Sequence, residues 1–386
     1  MFRAFLKLGF TSFGGPIAHL GYFRDELVIR RRWVDEATYG DLVALCQFLP
    51  GPASSQVGFA LGLIRGGPLG ALAAWCAFTL PSALLLVAFA SSAAVLEGPV
   101  GAGLLHGLKL VAVAVVAQAV WGMARTLTPD RPRAGIAFIA VLIAVFLPGP
   151  FGQVASIALG ALAGLWLCRG TALSANAHLP VPVTRTVGLA ALLLFFALLF
   201  ALPLLAASGA ALFEAFYRSG ALVFGGGHVV LPLLQASVVE PGWIDPATFL
   251  AGYGLAQAVP GPLFTFAAYL GAAMPTAPNG LLGGMIALAA IFLPGLLLVT
   301  AALPFWGSLR ARPTVQAAMR GANAAVVGIL GAALYDPVWT SAIHLPRDFA
   351  LALAGFVLLT AFKCPPWIIV LGSAIVGMVL GMLGAR

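Results

Sequence analysis

The chain has 386 residues, of which 61% are hydrophobic and only 8% are charged, and its formal net charge is +8. A soluble domain carries about 25% charged residues, so this composition excludes a soluble enzyme and leaves no room for a separate soluble domain. We predict an all-α polytopic membrane protein with the lipid bilayer as its surroundings and no nucleic-acid partner. Most of the excess charge is arginine between apolar segments, where it is typical of cytoplasmic loops.

Short apolar segments interrupted by glycine and proline come first in the chain. Helices are predicted from Met1 to Phe13, from Pro16 to about Val28, from Asp35 to Leu49, and from Pro52 to Arg65. Each has roughly 14 residues, whereas a helix needs about 20 to cross a bilayer. Each pair therefore predicts a re-entrant hairpin, and two tilted or partial crossings remain the alternative.

Longer apolar segments follow and predict full crossings. They run from Pro68 to Leu96, from Val100 to Arg125, from Arg133 to Leu147, from Phe151 to Cys168 and, after a polar loop, from Val187 to Ala207.

The pattern then restarts. The break Phe13-Gly14-Gly15 returns as Phe224-Gly225-Gly226, and Q-F-L-P-G-P at residues 47–52 returns as Q-A-V-P-G-P at 257–262. Many further matches occur in the same order, which a chance Gly-Pro pair would not give. We predict an N-terminal repeat at 1–186, a linking transmembrane helix at 187–207 and a C-terminal repeat at 208–386.

The charged loops predict opposite orientations for the two repeats. The loops near Arg30 and Arg65 are basic, whereas the matching turns of the second copy are acidic or uncharged. Because basic loops stay in the cytoplasm, we expect inverted-topology repeats, nine crossings and four broken hairpins, with the N-terminus inside. Arg347 is the exception, since it begins a span that is predicted to start outside.

The glycine and proline breaks are the candidate substrate site. A helix that starts inside the membrane presents free N–H groups and a partial positive charge, which together bind anions. The alternative is that Gly and Pro allow tight helix packing, while Ser and Thr bond their own backbone. The candidate residues at the breaks are Gly14, Gly15, Pro16, Gln47, Pro50, Gly51, Pro52, Ser54, Ser55, Gly225, Gly226, Gly227, His228, Gln257, Pro260, Gly261, Pro262 and Thr265.

Lys109 is the most informative single residue, because it lies near the middle of a predicted span and a charge there should face a cavity. No acidic residue lies mid-span beside it in the sequence, so the interior is expected to be net positive and to receive an anion. His106 lies three residues earlier on the same face. Further candidates match these positions in the other copy or lie near a break: Asn323, Arg320, Lys7, Arg218 and His19. For Lys7 and Arg218 the alternative is an amine or guanidinium that reaches the membrane surface, and His19 is more often a packed histidine than a proton site.

These motifs resemble the chromate ion transporter family in its long two-domain form. The matching stretches are F-x-K-x-G-F-T-S-F-G-G-P-x-A-H (5–19), Q-F-L-P-G-P-A-S-S-Q (47–56), F-G-G-G-H-V-V-L-P-L (224–233) and A-V-P-G-P-L-F-T-F-A (258–267). The resemblance implies export of chromate, and of sulfate as a second substrate, across a bacterial inner membrane. It implies chromate resistance and a drive from the membrane potential or the proton gradient.

Two other functions remain open at this point. One is a carrier that takes up or exchanges sulfate-like anions, and the other is a passive anion channel. The sequence contains no nucleophile–base pair, no phosphate-binding loop and no metal-ligand spacing, so we expect neither an enzyme nor a cofactor or metal. A homodimer is compatible with the sequence.

Overall fold

A computed structural model describes residues 1–12, 15–92, 98–147, 150–169, 183–205, 209–224, 229–306, 312–340 and 342–382. Throughout these residues the regular structure is helical, and no strand occurs in them. The prediction of an all-α fold is therefore confirmed. The predicted repeat boundaries at 186 and 207 remain predictions.

Seven helices are described in the first half. Their bounds are α1 (Phe2–Thr11), α2 (Gly15–Phe23), α3 (Glu36–Phe48), α4 (Ala53–Ser91), α5 (Pro99–Leu127), α6 (Arg131–Phe146) and α7 (Pro150–Leu167). α2 continues into π-helical turns at Arg24–Arg30. α4 contains both of the segments that were predicted to end at Arg65 and to begin at Pro68, joined through non-helical backbone at Gly66 and Gly67.

A linking helix and a second set of helices follow. Their bounds are α8 (Arg185–Leu205), α9 (Ala211–Ala221), α10 (Val230–Leu234), α11 (Pro246–Ala258), α12 (Phe266–Ala272), α13 (Gly280–Ala302), α14 (Pro313–Ala333), α15 (Pro346–Thr360) and α16 (Pro366–Met382). α10 and α14 run on into π-helical turns at Gln235–Val239 and Leu334–Trp339, and one 3₁₀ turn, Leu263–Thr265, precedes α12.

The same local signals start matching helices in the two halves. Asp35 precedes α3 and accepts a hydrogen bond from the Thr38 N–H at 2.8 Å. Asp245 precedes α11 and accepts one from the Thr248 N–H at 3.0 Å. Each carboxylate satisfies an N–H group that has no partner inside its own helix. The conserved spacing of Asp and Thr in the two copies therefore fixes the same helix start twice.

Close glycine contacts repeat between the halves as well. α1 packs on the second part of α4, and α9 packs on α13 in the same way. A Cβ built on Gly9 would lie 2.8 Å from the Ala77 carbonyl oxygen, and one on Gly220 would lie 2.1 Å from that of Ile291. Gly9 and Gly220 are matched positions, so the two copies share this close helix–helix contact as well as their sequence motifs.

The two halves interlock through their long helices. α5 of the first half packs against α15 and α16 of the second, and α14 of the second half packs against α6 and α7 of the first. Glycine permits both crossings: a Cβ on Gly107 would lie 2.1 Å from the Ser373 carbonyl oxygen, and one on Gly321 would lie 2.0 Å from that of Gly160. Small residues at such crossings let helix backbones approach closely in lipid.

Five described helices are long and apolar enough to cross a membrane: Ala53–Ser91, Pro99–Leu127, Arg185–Leu205, Gly280–Phe305 and Pro313–Asp336. The other predicted crossings correspond to α6, α7, α15 and α16, which have between 15 and 18 residues. Large apolar side chains such as Phe146, Phe151 and Leu204 are more than 80% exposed, as expected for side chains that face lipid. The predicted count of nine crossings and the re-entrant hairpins remain predictions.

The glycine crossing between α5 and α16 can be tested within one helix. We expect Gly107→Ala to destabilise the purified protein by about 1–3 kcal/mol, because the added methyl group overlaps backbone. Gly122→Ala, also on α5, meets no atom within 4 Å and is expected to be neutral or stabilising by up to about 1 kcal/mol. Thermal unfolding in detergent measures both, and equal effects would show that the crossing is not tightly packed.

Candidate functional site

Backbone hydrogen bonds join the breaks of one half to the breaks of the other. The Gly51 N–H donates to the Val223 carbonyl oxygen at 2.7 Å, and the Gly261 N–H donates to the Ser12 carbonyl oxygen at 2.8 Å. Ser12 and Val223 occupy matched positions in the two copies, as do Gly51 and Gly261. The two bonds are therefore equivalent under the internal symmetry, and each joins the P-G-P break of one half to the residues just before the glycine break of the other half.

Glycine is required at both P-G-P breaks. Gly51 has a φ of +119° and Gly261 a φ of +106°, values that side chains with a Cβ rarely adopt. Space is short as well, because a Cβ on Gly51 would lie 3.0 Å from Gly295 Cα, and one on Gly261 would overlap the Ser82 hydroxyl. The flanking prolines end one helix and permit the start of the next.

A second set of contacts binds each break to a proline-containing helix of the other half. The Ser82 hydroxyl donates to the Pro260 carbonyl oxygen. The Gln56 side-chain amide donates to the Pro50 carbonyl oxygen at 2.8 Å and to that of Gly295 at 3.0 Å. Ser82 follows Pro81, and Gly295 follows the matched Pro294. The position after this proline thus contacts the opposite break in both halves.

Several buried polar atoms around the first-half breaks have no hydrogen-bond partner. They are Ser12 Oγ, His19 Nε2, Ser55 Oγ, Gln56 Oε1 and Thr79 Oγ1, and all five residues are at most 2% exposed. A buried polar atom without a partner is costly unless it binds something else. α4 begins at Ala53, so the first N–H groups of that helix also lack carbonyl partners within it. The hydroxyls of Ser12, Ser55 and Thr79 and the first N–H groups of α4 are donors that suit an oxyanion, whereas Gln56 Oε1 only accepts.

The second-half break differs in its chemistry. The Thr265 hydroxyl donates to the Pro262 carbonyl oxygen at 2.8 Å, so it bonds its own backbone, which was the alternative considered for it. Ser54 Oγ lies 3.3 Å from His19 Nδ1. Gln47 is exposed, whereas Gln257 is half-buried and its side-chain nitrogen has no partner. Polar groups without partners therefore lie beside the breaks of both halves, and the matched hydroxyls of Ser55 and Thr265 differ, because only that of Ser55 is among them.

Some candidate residues fall outside the described part of the chain, namely Gly14, Gly225, Gly226, Gly227 and His228. Gly15 and Pro16 are described, and they form the half-buried start of α2.

Two of the candidate cations are paired with acids. Lys7 Nζ lies 2.8 Å from a carboxylate oxygen of Glu26, and Arg218 Nε lies 3.2 Å from one of Glu214. Lys7 and Arg218 are matched positions, so each copy pairs its cation with an acid within its own half. Their charges are thus compensated by protein.

Lys109 lies away from the breaks. It lines a cavity of about 450 Å³ together with His106 and residues of α11, α15 and α16. Ala247, at the start of α11, also lines this cavity, and about 17 Å of helix separates it from Ala258 at the other end of α11, just before the second-half break. Lys109 has no acidic residue beside it in its own span, but Asp348, distant in the sequence, lines the same cavity, and its carboxylate accepts a hydrogen bond from His106 Nε2 at 2.9 Å.

The matched positions in the second half are arranged differently. Arg320 donates to the Cys168 carbonyl oxygen at 3.1 Å and to the Gln316 side chain at 3.1 Å. Asn323 is half-buried, and its side-chain oxygen has no partner. Neither residue lines the cavity that contains Lys109.

Sequence reasoning missed Ser12, Gln56, Thr79, Ser82 and Gly295. A signal was available for two of them, since Ser82 and Gly295 each follow a proline that is matched between the copies. Ser12 could have been found from its position directly before the first break. Nothing in the sequence distinguishes Thr79 from a packing residue, because the burial of its hydroxyl without a partner depends on the packing of the two halves.

A family model described as "Chromate transporter" matches the chain twice, at residues 1–212 and 210–378, which confirms two tandem copies. The Chromate transport protein of Pseudomonas aeruginosa is 29% identical over 94% of this chain and 87% of the relative. The Chromate transport protein of Cupriavidus metallidurans is 28% identical over 97% and 91%. The Probable chromate transport protein of Synechococcus elongatus is 28% identical over 97% and 93%. No solved structure matches the chain.

The destabilisation caused by the contact at Gly261 can be measured apart from the destabilisation caused by backbone strain. Gly67 also has a positive φ of +61° but meets no atom within 4 Å, so Gly67→Ala carries strain alone, about 1–3 kcal/mol. Gly261→Ala adds the overlap with Ser82, and we expect about 1–3 kcal/mol of further destabilisation. Thermal unfolding of the purified variants compares them. Equal melting temperatures would mean that the breaks are not held against each other.

Proposed function

We propose that this chain, which belongs to the chromate transporter family, exports chromate across a bacterial inner membrane and thereby confers chromate resistance. It is a multi-pass membrane protein with two tandem family repeats. The printed names of its relatives describe transport proteins, and the proposal takes their substrate for this chain. Sulfate is a second candidate substrate because it has the same shape and charge.

The observation that carries the proposal is the reciprocal pairing of the two halves at their breaks, through the backbone bonds of Gly51 to Val223 and of Gly261 to Ser12. Broken helices near the centre of a membrane are typical of secondary transporters, in which helix ends bind the substrate. Here the helix start at Ala53 adjoins buried hydroxyl groups without partners, including that of Ser55. N–H and O–H donors of this kind suit a tetrahedral oxyanion.

The membrane potential is sufficient to drive outward transport. Moving one charge through 100 mV is worth about 2.3 kcal/mol, so a dianion gains about twice that on leaving a cell that is negative inside. Proton coupling would add to this drive. The direct bonds between the breaks favour a carrier over an open channel, because the halves must separate there before a substrate can pass.

Flux in everted membrane vesicles tests the function. We expect saturable chromate accumulation that depends on an imposed potential, positive inside the everted vesicle, with a separate series that imposes a pH gradient. Vesicles without the protein are the control. Flux in the opposite direction would indicate an uptake or exchange carrier, and flux that does not saturate would indicate a channel.

The hydroxyl groups near the breaks should differ in importance. We expect Ser55→Ala to weaken the apparent affinity for chromate about tenfold, because a donor to a charged group is worth about 1.5–3 kcal/mol. Thr265→Ala should change that affinity by less than about twofold, since its hydroxyl already bonds Pro262 and is not free to bind substrate. The measurement is initial flux against chromate concentration, with expression checked by immunoblot. Equal effects would remove Ser55 from the site.

A further inference from the structure

Basic side chains gather on one surface of the first half, where two turns of the chain lie side by side. The first turn, at residues 31–33, follows the π-helical turns after α2, and the second is the bend of α4 at Gly66 and Gly67. All the basic side chains there are exposed. We call this surface the basic cluster, and its members are Lys7, Arg30, Arg31, Arg32 and Arg65.

The bend of α4 brings the cluster to the edge of an apolar surface. A Cβ built on Gly62 would lie 2.5 Å from the Gly70 carbonyl oxygen, so the two parts of the helix cross directly beside the bend. Arg65 therefore lies at the tip of a helical hairpin, just before the apolar residues 68–91. Leu69 is 80% exposed, as expected for a side chain that faces lipid.

A single carboxylate pairs with three of these cations. Glu26 is 6% exposed, and its oxygen atoms lie 2.8 Å from Lys7 Nζ, 3.3 Å from Arg30 Nη1 and 2.8 Å from Arg31 Nε. Because one negative charge compensates only one positive charge, two of the three positive charges remain uncompensated at this carboxylate.

The indole ring of Trp33 joins the two turns. The Cζ atoms of Arg31 and Arg65 lie 5.5 and 5.0 Å from the ring centre, which is within the range of a cation–π contact. Arg65 makes no hydrogen bond and no ion pair with any residue that the structure describes. The ring therefore fixes a guanidinium group whose N–H donors are free.

Arg32 has a backbone conformation that normally selects glycine. Its φ is +49°, and the matched position in the second copy is Gly242, with a φ of +77°. Both residues lie in the turn that follows π-helical turns, at Arg24–Arg30 and at Gln235–Val239. A side chain is disfavoured in this left-handed region. The turn therefore accepts glycine, and arginine in its place lowers stability while adding an exposed charge.

The other acids near the cluster have partners of their own. Glu36 Oε1 lies 2.6 Å from Arg24 Nε, and Asp35 accepts hydrogen bonds from the Thr38 N–H and hydroxyl. Asp25 interacts electrostatically with Arg24. With five cations against one carboxylate, the basic cluster itself has a net charge of +4.

The second copy has no such cluster, so the duplication does not account for it. The positions that match Arg30, Arg31 and Arg32 are Glu240, Pro241 and Gly242. The charge bias of loops explains why arginine occurs on one side of a membrane. It explains neither a left-handed arginine nor two guanidinium groups on one indole ring.

We propose that the basic cluster binds the phosphate group of an anionic phospholipid, with the guanidinium groups of Arg32 and Arg65 as donors. Arginine donates parallel N–H bonds to phosphate oxygens, and basic groups at the membrane surface attract anionic lipids. Ile29 and Leu69, which are 52% and 80% exposed, are apolar side chains beside the cluster that suit the acyl chains. This inference does not depend on which anion the protein transports.

Lipid binding to the purified full-length protein in a neutral detergent tests the site. Native mass spectrometry counts the retained lipid during titration with phosphatidylglycerol and, separately, with phosphatidylcholine. We expect the wild type to retain phosphatidylglycerol preferentially. Arg32→Gly and Arg65→Gln should each weaken its binding about fivefold, because each removes one cation, whereas Arg65→Lys should retain most of it.

Stability in detergent without lipid separates binding from folding. Arg32→Gly should melt at the same temperature as the wild type or higher, since glycine suits the left-handed turn, so its loss of lipid could not come from unfolding. Arg131→Gln is the matched control, because Arg131 is an exposed arginine at the start of α6, away from the cluster. It should leave lipid binding unchanged.

Three results would overturn the site. Equal retention of the two lipids, or an equal loss of phosphatidylglycerol in Arg131→Gln, would mean that attraction to the membrane is diffuse. Displacement of phosphatidylglycerol by inorganic phosphate or sulfate at equal concentration would mean that the cluster binds free oxyanions instead. Chromate flux in vesicles is measured separately, so the proposed function and the lipid site can fail independently.

Discussion

The fold depends on hydrogen bonds to the backbone N–H and C=O groups that are left free where its helices are broken. Within a bilayer no water is present to bond free N–H and C=O groups, so interrupted helices need partners from protein. Here each half supplies them for the other: Gly51 bonds Val223, and Gly261 bonds Ser12. Each break therefore finds a backbone partner in the other half, so the two copies stabilise each other where their helices are interrupted.

Much of this architecture could be predicted from sequence. The Gly and Pro breaks, the aspartates before α3 and α11 and the apolar helices all follow from local rules, and the duplication follows from matched residues. The joining of α4 through Gly66 and Gly67 could not be predicted, because two glycines interrupt a helix or merely bend it according to what packs around them. π-helical turns such as Arg24–Arg30 have no recognised sequence pattern here.

The candidate site was predicted less completely, for a physical reason. Local sequence shows which polar groups lie at a break. Which of them stay without a hydrogen-bond partner depends on how the two halves pack together. Thr265 and Ser55 occupy similar places in their motifs, yet the first bonds Pro262 and the second has no partner. Lys109 was correctly expected beside a cavity, but Asp348, distant in sequence, joins it there because α15 packs on α5.

The interlocking of α5 with α16 has a consequence for biosynthesis. α5 is made well before α16, the helix that covers Gly103 and Gly107. Contacts between segments so far apart in sequence form slowly, so a nascent chain leaves this glycine groove without its partner until α16 has been made. During that interval the first half exposes a groove that membrane quality control can recognise, and truncation before α16 would leave Gly103 and Gly107 without the backbone that packs on them.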